Sequence, residues 1–243
     1  AQELLNILAN INSFNNVEEL YYKYIEQLFL TFSDYKSWSI HDPESQIFCA
    51  CLTYIKQILA YNMDIILPIL KDITTNDADP ELRVKLFILL SEYFDRSISE
   101  IMDLKFSNQF LEDCIFPQLI WSAGRTAEAI RTAAVSCLCS FLNKYEKDSI
   151  MKKITNYDEE NICPTLDKII PVLISLADDN SRKNRFYSLQ AIYLIMCIRK
   201  KFDYLREVCI HKIYPVLLKR LDDGCDDVRL IALEALTEVW SAI

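Results

Sequence analysis

Nine cysteines, two histidines and three pairs of adjacent aspartates are the groups in this sequence whose chemistry could go beyond packing. Four of the cysteines form two Cys-x-Cys pairs, Cys49/Cys51 and Cys137/Cys139, which could in principle offer two thiolates to one metal ion. Both pairs lie inside helical apolar patterns, where residues two apart point away from each other. His41 and His211 are the only imidazoles, so a zinc site would lack its remaining ligands. An odd, scattered set of cysteines reads as buried free thiols of a reducing cytosol rather than a disulfide framework. Nucleophilic catalysis fares no better: there is no Gly-x-Ser-x-Gly elbow, and neither histidine belongs to a recognisable triad. The aspartate pairs Asp178-Asp179, Asp222-Asp223 and Asp226-Asp227 fall at equivalent turns, where carboxylates cap helix N-termini and meet arginines. The expectation is a non-enzymatic chain with no catalytic residue, metal or cofactor.

The elements that position these groups are short amphipathic helices. Ile213, Tyr214, Leu217, Leu218 and Leu221 recur at helical spacing before an acidic turn, and Val228, Ile231, Ala232, Ala235, Leu236 and Val239 do so after it. Neither helix can bury so wide an apolar face alone. The same frame recurs upstream: fourteen positions separate Pro215 from Arg229, Pro171 from Arg185 and Pro117 from Arg131, and fifteen separate Pro68 from Arg83. A repeat of roughly 40–50 residues marks an α-solenoid, and the spacing resembles HEAT repeats. The fold class is therefore all-α, a solenoid of antiparallel HEAT/ARM-type helix pairs. Only two glycines occur in 243 residues, which argues against tightly turned sheets and Gly-rich phosphate loops.

Five pairs are expected at about 17–61, 62–95, 108–145, 163–199 and 207–243, after a half-repeat at 1–14. They form one solenoid domain without a second domain. Within the first pair, Ile47, Cys51, Tyr54, Ile55 and Ile58 read as the lining of the second helix. Asp42-Pro43 and Asp79-Pro80 read as cap plus first helical position, residues 95–107 as a connector, and Lys144–Asn161 as an inter-repeat loop. The lone leading helix and a start at Ala1 suggest a C-terminal fragment of a longer protein.

Net charge −9 and a pI near 4.9 disfavour a general nucleic-acid binder, DNA-reading HEAT proteins included. No apolar run reaches the length of a membrane span. Arg83, Arg131, Arg185 and Arg229 are assigned to a structural ladder with Asp179 and Asp223. Trp38 and Trp121 stand at inter-helix turns, either packed against a helix end or offered to a partner. With Arg125, Arg182 and Lys183 they make the candidate partner surface. The basic cluster Arg199, Lys200, Lys201 and Arg206 reads as solvated charge.

Leu119 to Leu138, LIWSAGRTAEAIRTAAVSCL, is the most distinctive stretch. Together with Tyr214–Asp223 and Asp227-Val228-Arg229 it resembles the C-terminal region of the HEAT-repeat axonemal dynein assembly factors, with a close match over about forty residues. The resemblance implies a cytoplasmic, non-enzymatic factor that helps preassemble dynein arms for cilia and flagella, with axonemal dynein chains and other assembly factors as partners. A second outline is similar to the tubulin-binding TOG domains, with Trp38 in the first inter-helix loop as the anchor. Asp77, Asp79, Asp222, Asp223, Asp226 and Asp227 on that edge would repel acidic tubulin, and only Arg125, Arg182 and Lys183 favour it.

Overall fold

The computed structural model describes residues 2–55, 58–96, 104–152, 156–199 and 209–242. Among the described residues there is no strand. The helices are α1 (Gln2–Ile11), α2 (Val17–Leu30), α3 (Pro43–Tyr54), α4 (Ile58–Ile73), α5 (Pro80–Arg96), α6 (Leu104–Gln109), α7 (Phe116–Leu119), α8 (Arg125–Lys152), α9 (Asn156–Leu176), α10 (Arg182–Arg199), α11 (Tyr214–Arg220) and α12 (Asp226–Ala242). They pack in two layers. In one, α3, α5, α8, α10 and α12 lie side by side, and in the other α2, α4, α6–α7 and α9 follow one another. The helices α9 and α10, and α11 and α12, pack as antiparallel neighbours, so the chain is an all-helical solenoid.

One continuous core runs between the layers. Phe29, Phe48, Phe87 and Phe110 are fully buried along it, and Phe94, Phe110 and Phe141 meet at ring-centroid distances of 5.4–5.8 Å. Fully burying such a side chain contributes about 1.5–3 kcal/mol, which is why each repeat is stable only against its neighbours.

The prolines shape the first helix of two pairs. Proline has no N–H and its ring crowds the carbonyl four residues back. Before Pro117 and Pro215 the helix widens into single π-helical turns, Phe110–Ile115 and Cys209–Ile213. The Phe116 N–H donates to the Leu111 carbonyl, five residues back. Such widening absorbs the strain without ending the helix.

Several expectations are corrected. The described part of Lys144–Asn161 is helical rather than a loop: α8 continues to Lys152 and α9 begins at Asn156. A run of mixed charge is compatible with a helix as well as with a loop. The lining of α3 is rotated from the one expected. Phe48, Cys49, Cys51 and Leu52 are buried, whereas Ile47 and Tyr54 are exposed. Asp42 does precede Pro43 at the head of α3, but its carboxylate accepts from the Ser39 N–H and makes no hydrogen bond to the helix. Much of the 95–107 connector, and Lys200, Lys201 and Arg206, lie outside the described residues.

Candidate protein-binding surface

The arginines at the repeated position all work in one way. Each donates through Nη1 to a carbonyl of its own turn: Arg83 to Asn76 (3.5 Å), Arg131 to Ser122 (2.6 Å), Arg185 to Asp179 (3.1 Å) and Arg229 to Asp223 (2.6 Å). Three also reach toward the next turn. Arg185 clamps the Asp223 carboxylate from two nitrogens at 2.8 and 2.9 Å, and Arg131 Nη2 reaches Asp179 at 3.4 Å. Both carboxylates also close their own turn, Asp179 accepting from the Ser181 N–H and Asp223 from the Cys225 N–H. Hydrogen bonding from Arg185 and the adjacent charges of Arg185 and Arg220 hold the Asp223 carboxyl below its ordinary range, against the opposing effect of burial.

Arg83 departs from this pattern. Its acceptor across the gap is neutral: Gln118 Oε1, while Gln118 Nε2 donates to the Thr74 carbonyl at 2.6 Å. Gln118 is buried and carried no signal in the sequence, because no charge or motif marks it. Asp79 plays a related part: its carboxylate accepts from the Glu81 N–H at the head of α5 and from the Ile40 N–H of the preceding turn. Arg229 pairs with Asp226 within its own first helical turn.

The turn between α7 and α8 is built differently from the others. Helix α7 ends two residues past Pro117, whereas α9 and α11 end five past Pro171 and Pro215. Helix α8 begins eight residues past its proline, α10 and α12 eleven. The turn has slid by three residues. The chain leaves α7 in extended conformation at Ile120 (ψ 131°), and Gly124 sits at φ +109°, a conformation that favours glycine. The consequence is exposure: Ile120 is 54% and Trp121 66% exposed.

The structure separates the predicted surface residues. Trp121 and Ile120 stand over a cleft between the heads of α5 and α8, together with Pro80 and Pro117. Arg125 and Lys183 line a second groove of about 620 Å³, shared with Ile88, Glu128, Thr132 and Tyr187 on α5, α8 and α10. Arg182 is engaged instead with Asp227, at 2.8–3.0 Å, on the exposed edge. Trp38 is a correction: it is 5% exposed, its indole N–H donates to the Ser33 carbonyl, and it packs edge-on against Phe32 and Tyr35. It cannot anchor a partner, because the fold of its own loop consumes it. The tubulin-binding alternative loses the residue it rested on.

Five of the thiols are held as thiols. Burial pushes Cys51 and Cys114 up to about 12 and raises Cys49, Cys137 and Cys139 as well, so none is a ready nucleophile at neutral pH. His41 and His211 are exposed. Among the described residues, no three His, Cys, Asp or Glu side chains come together as a metal site, and no helix is long and apolar enough to cross a membrane.

Three curated relatives match nearly all of the chain, and each carries the name dynein axonemal assembly factor 5. The Xenopus laevis protein is 30% identical over 249 residues, covering 100% of this chain and 28% of its own length. The Mus musculus protein is 32% identical over 242 residues and the Homo sapiens protein 30% over 241, each covering 97% of this chain and 27% of its own length. The chain thus spans little more than a quarter of the relatives it matches, and the likeness extends well past the forty residues that suggested it. Residues 151–239 match the family described as the Vacuolar 14 Fab1-binding region. No solved structure matches.

Proposed function

We propose that this chain, a relative of the axonemal dynein assembly factors along its whole length, is a protein-binding solenoid segment that holds axonemal dynein chains in the cytoplasm during arm assembly. It does so by non-covalent contact and without catalysing a reaction. The observation that carries this reading is the pair Ile120–Trp121. Two large apolar side chains are presented to solvent at a turn that has slid out of register with its neighbours. Covering such exposed apolar surface favours binding, and tryptophan is enriched at the centre of such contacts. Arg125 and Lys183, for which no ion pair occurs among the described residues, add positive charge in the second groove. Within an acidic chain these cations favour acidic surfaces of a client and orient its approach.

The test is retention of proteins from ciliated-cell cytosol on the immobilised chain, with purified tubulin run in parallel at physiological salt. Dynein arm subunits are expected on the wild type and lost from the Trp121→Ala/Arg125→Ala double variant, whose helicity is unchanged. Retention that the double variant leaves intact would remove this surface, and saturable tubulin binding without dynein would overturn the dynein reading.

A further inference from the structure

The cleft beneath Trp121 has a volume of about 600 Å³ and an apolar rim of Pro80, Pro117, Ile120, Trp121 and Ala127. Among the described residues, the charged ones that line it are Arg83 and Arg131, and no carboxylate does, although the chain carries a net charge of −9. The two arginines differ in their counter-charge. Arg131 has Asp179 at 3.4 Å. Arg83 is 6% exposed and, among the described residues, bonds only the neutral oxygens of Asn76 and Gln118, whereas the Nε of both arginines meets no acceptor. A guanidinium removed from water without a counter-ion is costly to the fold, and its unbalanced field falls on the cleft it lines. The N-terminal turn of the 28-residue helix α8, at Thr126 and Ala127, brings the positive end of a helix dipole to the same place.

The missing carboxylate has a structural cause. Counting from the repeated prolines, Arg125 occupies the position held by Asp179 and Asp223 in the next two pairs. Where Arg185 and Arg131 reach forward and meet an aspartate, Arg83 reaches forward and meets Gln118. The slid turn that opens the cleft is thus also the turn that lacks the internal acid.

We propose that the cleft under Trp121 receives a segment of a partner protein carrying an aspartate or glutamate beside a bulky apolar side chain. The apolar side chain lies on Ile120 and Trp121, and the carboxylate supplies Arg83 with the counter-charge its own chain withholds. This rests on the reading of the chain as protein-binding and names the chemistry of what it binds.

Short peptides displayed on phage and selected on the immobilised chain supply the probe. The best is synthesised with a fluorescent label and its Kd is read by anisotropy. The selected peptides are expected to carry Asp or Glu next to Leu, Phe or a similar side chain. Changing the acid to its amide is expected to weaken binding about tenfold, and Trp121→Ala by at least as much. Thr126 is exposed at the rim, so Thr126→Glu and Thr126→Lys should both fold and shift the Kd in opposite directions, weaker and tighter. Arg83→Met should match Trp121→Ala; should it fail to fold, the Thr126 pair still decides. A neutral or basic consensus would overturn the proposal, as would a Kd indifferent to Trp121→Ala and to both Thr126 variants. Self-association in sedimentation that Trp121→Ala abolishes would assign the cleft to a second copy and overturn it too. Dynein capture that survives Trp121→Ala and Thr126→Glu would sink the cleft alone. Acidic-peptide binding without dynein capture would sink only the choice of client.

Discussion

The α9–α10 turn and the α7–α8 turn join the same kind of helix pair and do opposite things with their residues. At the first, Asp179 closes the turn through the Ser181 N–H and receives Arg131 from the preceding pair, with both side chains 5% exposed. The turn is spent on holding neighbours together. At the second, the helix boundary has slid by three residues, no aspartate is present, and Ile120 and Trp121 face solvent. Its contributions to the ladder are the Ser122 carbonyl, which accepts from Arg131, and Gln118, placed just before the turn, which bridges Arg83 and the Thr74 carbonyl. A repeat protein can free one turn for binding because its neighbours already carry the stacking.

The comparison is most sharply tested at its strong end. Asp223 accepts from both Arg185 and Arg220 and closes its own turn, so Asp223→Ala should lower stability by about 3 kcal/mol, as loss of one partner of a buried pair does. Urea unfolding followed by circular dichroism measures this. The same pair sets an acid limit. The folded-state pKa of Asp223 lies below its ordinary value of 3.8, so its contribution is fully present above that value and disappears as pH falls through the folded pKa. Wild type should therefore lose stability below about pH 4 more steeply than Asp223→Ala.

Next comes Arg131→Met against Arg83→Met. The first strands the buried carboxylate of Asp179 and should cost about 2–3 kcal/mol; the second leaves only neutral acceptors and should cost about 1 kcal/mol. Equal losses would mean that the missing acid at the α7–α8 turn has no energetic meaning. Gly124→Ala should cost about 1–2 kcal/mol through backbone strain alone, since its added Cβ would meet no neighbour. At the weak end, Trp121→Ala should stay within about 0.5 kcal/mol of wild type in stability while changing binding. Arg182→Ala, at an exposed pair with Asp227, should leave the melting temperature unmoved at physiological salt.

The ladder arginines were legible because a Pro-to-Arg spacing of fourteen positions recurs three times, and one of fifteen once, inside apolar helical patterns, and such a pattern has few other causes. The slid turn was not legible, since moving both helix boundaries by three residues leaves that spacing unchanged. Trp38 illustrates the opposite failure. A tryptophan in a polar loop has the same local sequence whether it is offered outward or, as here, folded back onto Phe32 and Tyr35. Gln118 had no signal at all, because a neutral amide acquires its role from the guanidinium it meets thirty-five positions away.

By itself the sequence determined that this chain is a row of helix pairs, because apolar periodicity and proline placement are local and act within one or two turns of helix. Only the tertiary structure decided which tryptophan faces water and which arginine lacks an acid. Both depend on the packing of side chains from different repeats, where burial and counter-charge are set by neighbours distant in sequence.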